Sequence, residues 1–471
     1  MRQLKSLHLA MLLLGSLGLN SVAYAVPNTL KSMTDSELSA TTGQALMSLS
    51  YISPTDSANQ EAKRFGGDNT IGFYKLGLEA EMELNVNIKK LQLGCGGVNG
   101  AGGCDIDIDY LSLSGLGNSA TSNTDSAADR AARAGSSAVL TNPFIEFAIK
   151  NPDKASTRQI VGLNLSAEKA LGLITFGLEN GAGKSGINSL SGYMEIAATT
   201  GLANVNGFGT SLVSGEAEKG TLKQSDGYNA ISGEVCCTLF GRGNIPFTTT
   251  AYNLNLRDKA SGSNILKGDL TLKQQEITGK RINSANLTAT AAVRDIALTG
   301  TIDAVARALG FIDVPLNNKN VTGVIQNLMV DVAISEDLGY FHKANLNGTA
   351  ASLSLQSQNI QWTNNKSISQ NGWWLEFSNP IDIGFIQPTF NVDIPKDTLN
   401  EAFRQVSNFL KTDEGRIQCG NNLAGNCLFG GDIPVGTVNL FNATRPQMAL
   451  TNLELATQKF TPNCYGTLKF C

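Results

Sequence analysis

The chain has 471 residues, of which 16% are charged and 7% aromatic, with 49 glycines and a formal net charge of −4. That near-neutral balance, with no basic cluster, argues against a nucleic-acid partner. Abundant glycine with few charges suits a turn-rich, exported β protein better than a cytosolic enzyme.

Residues 1–25 read as a secretory signal peptide. Arg2 and Lys5 give the positive start, Leu9 to Leu19 the apolar stretch, and Ala23-Tyr24-Ala25 the small-x-small cleavage site. Cleavage before Val26 leaves 34 basic residues against 40 acidic ones. No cysteine follows the cleavage site, so a lipid-anchored N-terminus is not expected. No later run approaches the roughly 20 apolar residues of a membrane-spanning helix.

The next stretch, Leu30 to Gln44, predicts a helix of two turns. Thr34 and Glu37 form a capping box and Gly43 is a ready stop. Its Glu37-Leu38-Ser39-x-x-Thr42-Gly43-Gln44 pattern resembles the post-signal motif of exported Gram-negative surface proteins, specifically pilus-assembly proteins of the Fil type. The resemblance covers about 15 residues, Leu30 to Gln44. It implies surface location and a long β-rich body, and it carries over no catalytic residue. With a first strand over Ala45–Tyr51, residues 26–70 form an N-terminal capping region and residues 71–471 the β body.

Tyr74 to Ile88 is the strongest strand signal. Apolar residues occupy every even position, and Glu79, Glu81, Glu83, Asn85 and Asn87 stand between them. A period of two marks a half-buried strand, here roughly 50 Å long at about 3.3 Å per residue. The alternation changes phase at Lys89-Lys90, and again between Tyr110 and Leu111 after the Gly-rich loop of Cys95–Cys104. The expectation is a long hairpin with matched bulges and a disulfide near its tip, the even side chains facing a core. Residues 115–141, small and polar, form a flexible insertion.

Further strands are expected at Phe144–Ile149, Ile160–Leu165, Tyr193–Ala197, Phe247–Leu256, Leu266–Lys273 and Leu287–Val293. Others fall at Val324–Ile334, Ala344–Leu355, Trp373–Phe377, Ile381–Phe385 and Val435–Phe441. Thr301–Ile312 has helical composition. Thr398–Lys411 predicts an amphipathic helix, because Leu399, Ala402, Phe403, Val406, Phe409 and Leu410 share one face. That helix plugs an open end or packs on a sheet.

Eight cysteines in an exported chain argue for disulfides: Cys95, Cys104, Cys236, Cys237, Cys419, Cys427, Cys464 and Cys471. Three pairs lie close in sequence, 95/104, 419/427 and 464/471. Cys236 and Cys237 bond to each other, in a strained and reducible ring, or to two separate partners; ordinary bridges are preferred. No metal is expected, since Cys-x-x-Cys spacing is missing and His342 is the one histidine left after processing.

Catalytic signals are poor. Asp105, Asp107 and Asp109 share a strand face but are spaced for solvation rather than for calcium. Gly183-Lys184-Ser185 lacks the first glycine of a phosphate loop. No Gly-x-Ser-x-Gly elbow accompanies His342. Of Trp373-Trp374, one ring faces inward, and the outward one is a candidate contact for carbohydrate or a protein partner. No cofactor is implied. The expected fold is mainly β, an elongated curved antiparallel sheet or sandwich with long strands and a few short helices. The expected role is a non-enzymatic exported protein of a cell-surface structure, in pilus or fimbrial assembly or adhesion. Its partners are other surface or pilus proteins. The alternative is a lipid-binding periplasmic carrier or an outer-membrane β protein.

Overall fold

The computed structural model describes residues 47–451, apart from segments at 98–99, 101–102, 116–134, 178–184, 207–220, 237–243, 342, 349–350, 382–384, 389, 420–429 and 431. The expectations for the leader, the helix at 30–44, most of the insertion, Gly183-Lys184, His342, Cys237, Cys427, Cys464 and Cys471 lie outside the described residues.

The fold is mainly β, built as three sheets. The first takes β1 (Met47–Ile52), β2 (Ile71–Leu78), β3 (Glu81–Leu84), β4 (Val86–Leu93), β5 (Ile106–Ser114), β6 (Ala138–Lys150), β7 (Gln159–Thr175) and β8 (Ile187–Ile196). β14 (Gln275–Ile282), β19 (Lys343–Asn347), β20 (Ala351–Gln356) and β21 (Gly372–Phe377) complete it. The second holds β10 (Thr221–Lys223), β11 (Ser232–Cys236), β12 (Asn244–Asp258), β16 (Ile296–Ala308), β17 (Ile312–Gln326), β22 (Ile417–Gln418) and β23 (Asp432–Asn439). The third is β9 (Thr199–Val205), β13 (Leu266–Leu272), β15 (Ser284–Val293), β18 (Met329–Asp337) and β24 (Gln447–Thr451). α1 (Gln60–Lys63) follows β1, and α2 (Lys396–Phe409) follows β21.

The main path of the first sheet runs β1-β2-β6-β7-β20-β21-β8-β5-β4, and its strands pair antiparallel except at β21–β8. β7 is long enough to take β20 at Gly162–Leu165 and β5 at Leu173–Thr175. Strands β7, β20, β21, β8 and β5 therefore close a hydrogen-bonded ring, while β1, β2 and β6 extend away from it. β1 belongs to the compact unit that begins at Met47.

The predicted long strand is three strands with two partners. β2 and β3 pair with β6, and only Val86 onward pairs with β5. The break falls where Asn142 of β6 adopts positive φ and its amide donates to the Ala80 carbonyl. The Cys95–Cys104 disulfide does close the β4–β5 hairpin. Tyr110 takes a positive φ, yet the register is the same on both sides of it, because the irregularities of the two strands face each other.

Thr301–Ile312 is strand rather than helix. It lies in β16 and the start of β17, held between β12 and β17, with Ile302, Ala304 and Ala306 buried on alternate positions. Pairing on both edges overrides alanine's helical preference. α2 is the predicted amphipathic helix; Leu399, Phe403 and Val406 enter one apolar cluster with the second sheet. Phe403 meets the rings of Tyr228 and Tyr252 edge-on, with centroids 6.2 and 6.0 Å away. Beside this contact lies an apolar cavity of about 60 Å³.

Candidate interaction surface

Alternation along the strands of the first sheet separates two faces of opposite character. Cross-strand pairing aligns Tyr51, Tyr74, Phe147, Leu163, Leu355 and Trp373 in one row across β1, β2, β6, β7, β20 and β21. The adjacent row is Leu49, Leu76, Ile145, Leu165, Leu353 and Leu375. Every member is apolar or aromatic. Neighbours in such rows pack side by side, which stabilises the sheet without needing a second layer.

The reverse face is polar at its centre. Lys75, Glu146, Asn164 and Ser354 pair in sequence across four strands, and Ser352 stands opposite Glu376. This is the covered side. The strap 357–371 lies over it and is pinned by side chains from the sheet. Glu376 accepts from the Lys366 and Ser367 amides and the Ser367 hydroxyl, and Gln356 accepts from the Trp362 indole. Glu61 accepts from the Gln361 amide and pairs with Arg64, whose guanidinium also donates to the Asn359 carbonyl. The strap has little secondary structure of its own, so its backbone groups need these partners. Trp362, with Ile71, Phe73, Ala148 and Val161, fills a small apolar core beneath it. Gly162 makes room, because a Cβ there would stand 2.8 Å from the Trp362 ring.

Burial and hydrogen bonding oppose each other at the carboxyls under the strap. Burial pushes the carboxyls of Glu146 and Glu376 above the ordinary glutamate value, against the hydrogen bonds that favour ionisation. Glu195 nearby is also raised by burial, but Lys366, Tyr193 and Gln274 donate to it and bring it below that value. Glu146 and Glu376 lie on β6 and β21, with β7 and β20 between them, too far apart to act as a general acid–base pair.

The apolar face is open from β1 as far as β7. Leu49 is 72% exposed, Met47 57%, Tyr51 39% and Leu165 39%. Toward β21 the same face turns into the protein, where Leu353, Trp373 and Leu375 pack against the cluster of Ile106, Ile108, Leu190 and Met194. Of the tandem tryptophans, Trp374 is buried and donates to the Ser367 hydroxyl. Trp373 is half-buried at the inner end of the aromatic row.

The acidic triplet splits. Asp105 is buried, accepting from Arg281 Nε and from the Trp373 amide, both at 3.1 Å. Gly94 and Gly372, both at positive φ, leave its carboxylate room; a Cβ on either would sit 2.4 Å from Oδ2. Asp107 and Asp109 pair with Lys90 and accept from Asn188. Glu79, Glu81 and Glu83 are exposed. Cys95 and Cys104 are bonded to each other, and Cys236 and Cys419 each take part in a disulfide. Among the described residues no cluster of three metal-ligating side chains occurs, and no helix is long and apolar enough to cross a membrane.

The strap carries no periodic signal in the sequence, whereas parts of β6 and β7 are expected as strands without their role in the two faces. Their alternation was readable; their cross-strand alignment was not. Compared with known protein families, curated proteins and solved structures, the chain matches none.

Proposed function

We propose that this is a non-enzymatic, exported component of a Gram-negative cell-surface structure, acting in pilus or fimbrial assembly. The observation that carries the reading is the open apolar face rimmed by Met47, Leu49, Tyr51 and Leu165. Contiguous exposed apolar area of this kind marks a surface that another molecule covers. A protein partner fits it better than a small molecule, because the open end is a ladder of side chains across several strands rather than an enclosed pocket. The leader and the post-signal motif supply the address.

Localisation tests it. The native protein should appear in the fraction sheared from the cell surface, and Leu165→Glu should be exported but absent from that fraction. Wild-type protein found only in the cytoplasm would defeat the proposal.

The second reading is a lipid carrier. It is favoured by the continuity of the aromatic row from solvent at Tyr51 to the interior at Trp373. Acyl chains recovered with the purified protein by native mass spectrometry would select it.

A further inference from the structure

β1 is the outermost strand of the first sheet, and among the described residues it pairs with β2 alone. Its other edge therefore presents backbone donors and acceptors to whatever lies beside it. Strands so placed are usually protected by charge, proline or a bulge. Other strands of this sheet that pair on one side carry such protection: Glu81 and Glu83 in β3, Lys89 and Lys90 in β4, and Lys280 and Arg281 in β14. β1 reads Met-Ser-Leu-Ser-Tyr-Ile and carries none of these.

The order of its residues is also symmetric. Reading outward from Leu49, the neighbours are Ser48 and Ser50, then Met47 and Tyr51. A strand meeting its own copy antiparallel, with Leu49 opposite Leu49, would place Ser48 opposite Ser50 and Met47 opposite Tyr51. Each pair matches in polarity and lies on one face, as antiparallel pairing requires. A shift by one residue would instead oppose Leu49 to Ser50 and Ser48 to Tyr51.

We infer that two copies of this chain join edge to edge through β1, about a two-fold axis through Leu49. Such an axis stands perpendicular to the sheet, so both apolar faces remain on the same side. The row from Leu49 to Leu375 then meets its copy without interruption, and the most exposed apolar residues of the face are covered laterally by their equivalents. The inference goes beyond the assembly role and does not depend on where in the cell the protein resides.

The test is the mass of the exported chain in solution, read by light scattering and analytical ultracentrifugation through the micromolar range. Wild type should be a dimer. Leu49→Lys sets two ammonium groups opposite each other and should be a monomer, as should Leu49→Glu. Mixing the two variants in equal amounts should restore the dimer, because residue 49 faces itself only in this register. Leu49 is largely exposed, so both variants should keep the wild-type circular dichroism spectrum, and their melting temperature should fall only by what dimerisation contributes. A monomeric wild type, a Leu49→Lys dimer as stable as wild type, or a mixture that stays monomeric would overturn the inference.

Discussion

Tyr51 stacks on Tyr74 with ring centroids 4.3 Å apart and planes inclined by 26°. The pair joins β1 to β2 at the open end of the aromatic row, where no covering layer assists among the described residues. An aromatic pair of this kind contributes about 0.5–1.5 kcal/mol beyond its buried area. In Tyr51→Ala the amides of Met47–Ile52 should exchange with deuterium faster, while those of β6 and β7 remain protected. Unchanged exchange across β1 would show that backbone pairing alone holds the edge.

The two faces of the first sheet should respond oppositely to the same charge. Leu165 is on the open face, so Leu165→Lys should change stability by no more than about 0.5–1 kcal/mol. Phe73 is 1% exposed beneath the strap, and Phe73→Lys should cost several kcal/mol because it buries an unpaired ammonium. Denaturant titration of the two variants measures both. Equal losses would mean that the apolar face is covered as well.

Glu146 predicts a pH effect of definite sign. Its folded carboxyl titrates above the ordinary glutamate value because burial disfavours the anion. A group raised in this way stabilises the fold fully below its unfolded value, and that contribution is lost as pH rises through the folded one. Glu146→Gln keeps an acceptor for Asn164 but cannot ionise. The variant should therefore gain stability over wild type at mildly alkaline pH and lose that advantage in mild acid. A melting temperature lowered equally at both would assign Glu146 a hydrogen-bonding role that the amide cannot supply.

Phe403 is 5% exposed and stands between the rings of Tyr228 and Tyr252. Phe403→Ala enlarges the cavity already present beside α2 and should cost about 3–5 kcal/mol. The loss should appear in thermal unfolding. An unchanged melting temperature would mean that α2 contributes nothing to the second sheet's core.

The Cys95–Cys104 bond closes a loop with a sequence separation of 9. Replacing both cysteines by serine should remove about 2–3 kcal/mol in the chain-entropy account. Limited proteolysis should then cut between residues 95 and 104 while β4 and β5 stay paired. If cleavage is unaltered, Asp105, through Arg281 and the Trp373 amide, is sufficient to hold the tip.

Local signals in the chain were enough for many of the strands, for α2 and for the hairpin closed by Cys95 and Cys104. Each rests on a period of 2 or 3.6, or on two cysteines either side of a short Gly-rich turn, and these act over a few residues. They could not say which partner a strand takes. β2 alternates just as the hairpin reading requires, yet it pairs with β6, some sixty residues beyond, where Asn142 redirects the chain. Nor could they say which face is covered. Alternation divides Tyr74, Leu76 and Leu78 from Phe73 and Lys75, but burial depends on what packs above them. Here a strap with no periodic signal lies on the polar side, and the apolar side stays open toward β1. For the same reason Asp105 reads as solvated in isolation and becomes a buried anchor once Arg281 and Trp373 arrive from distant strands.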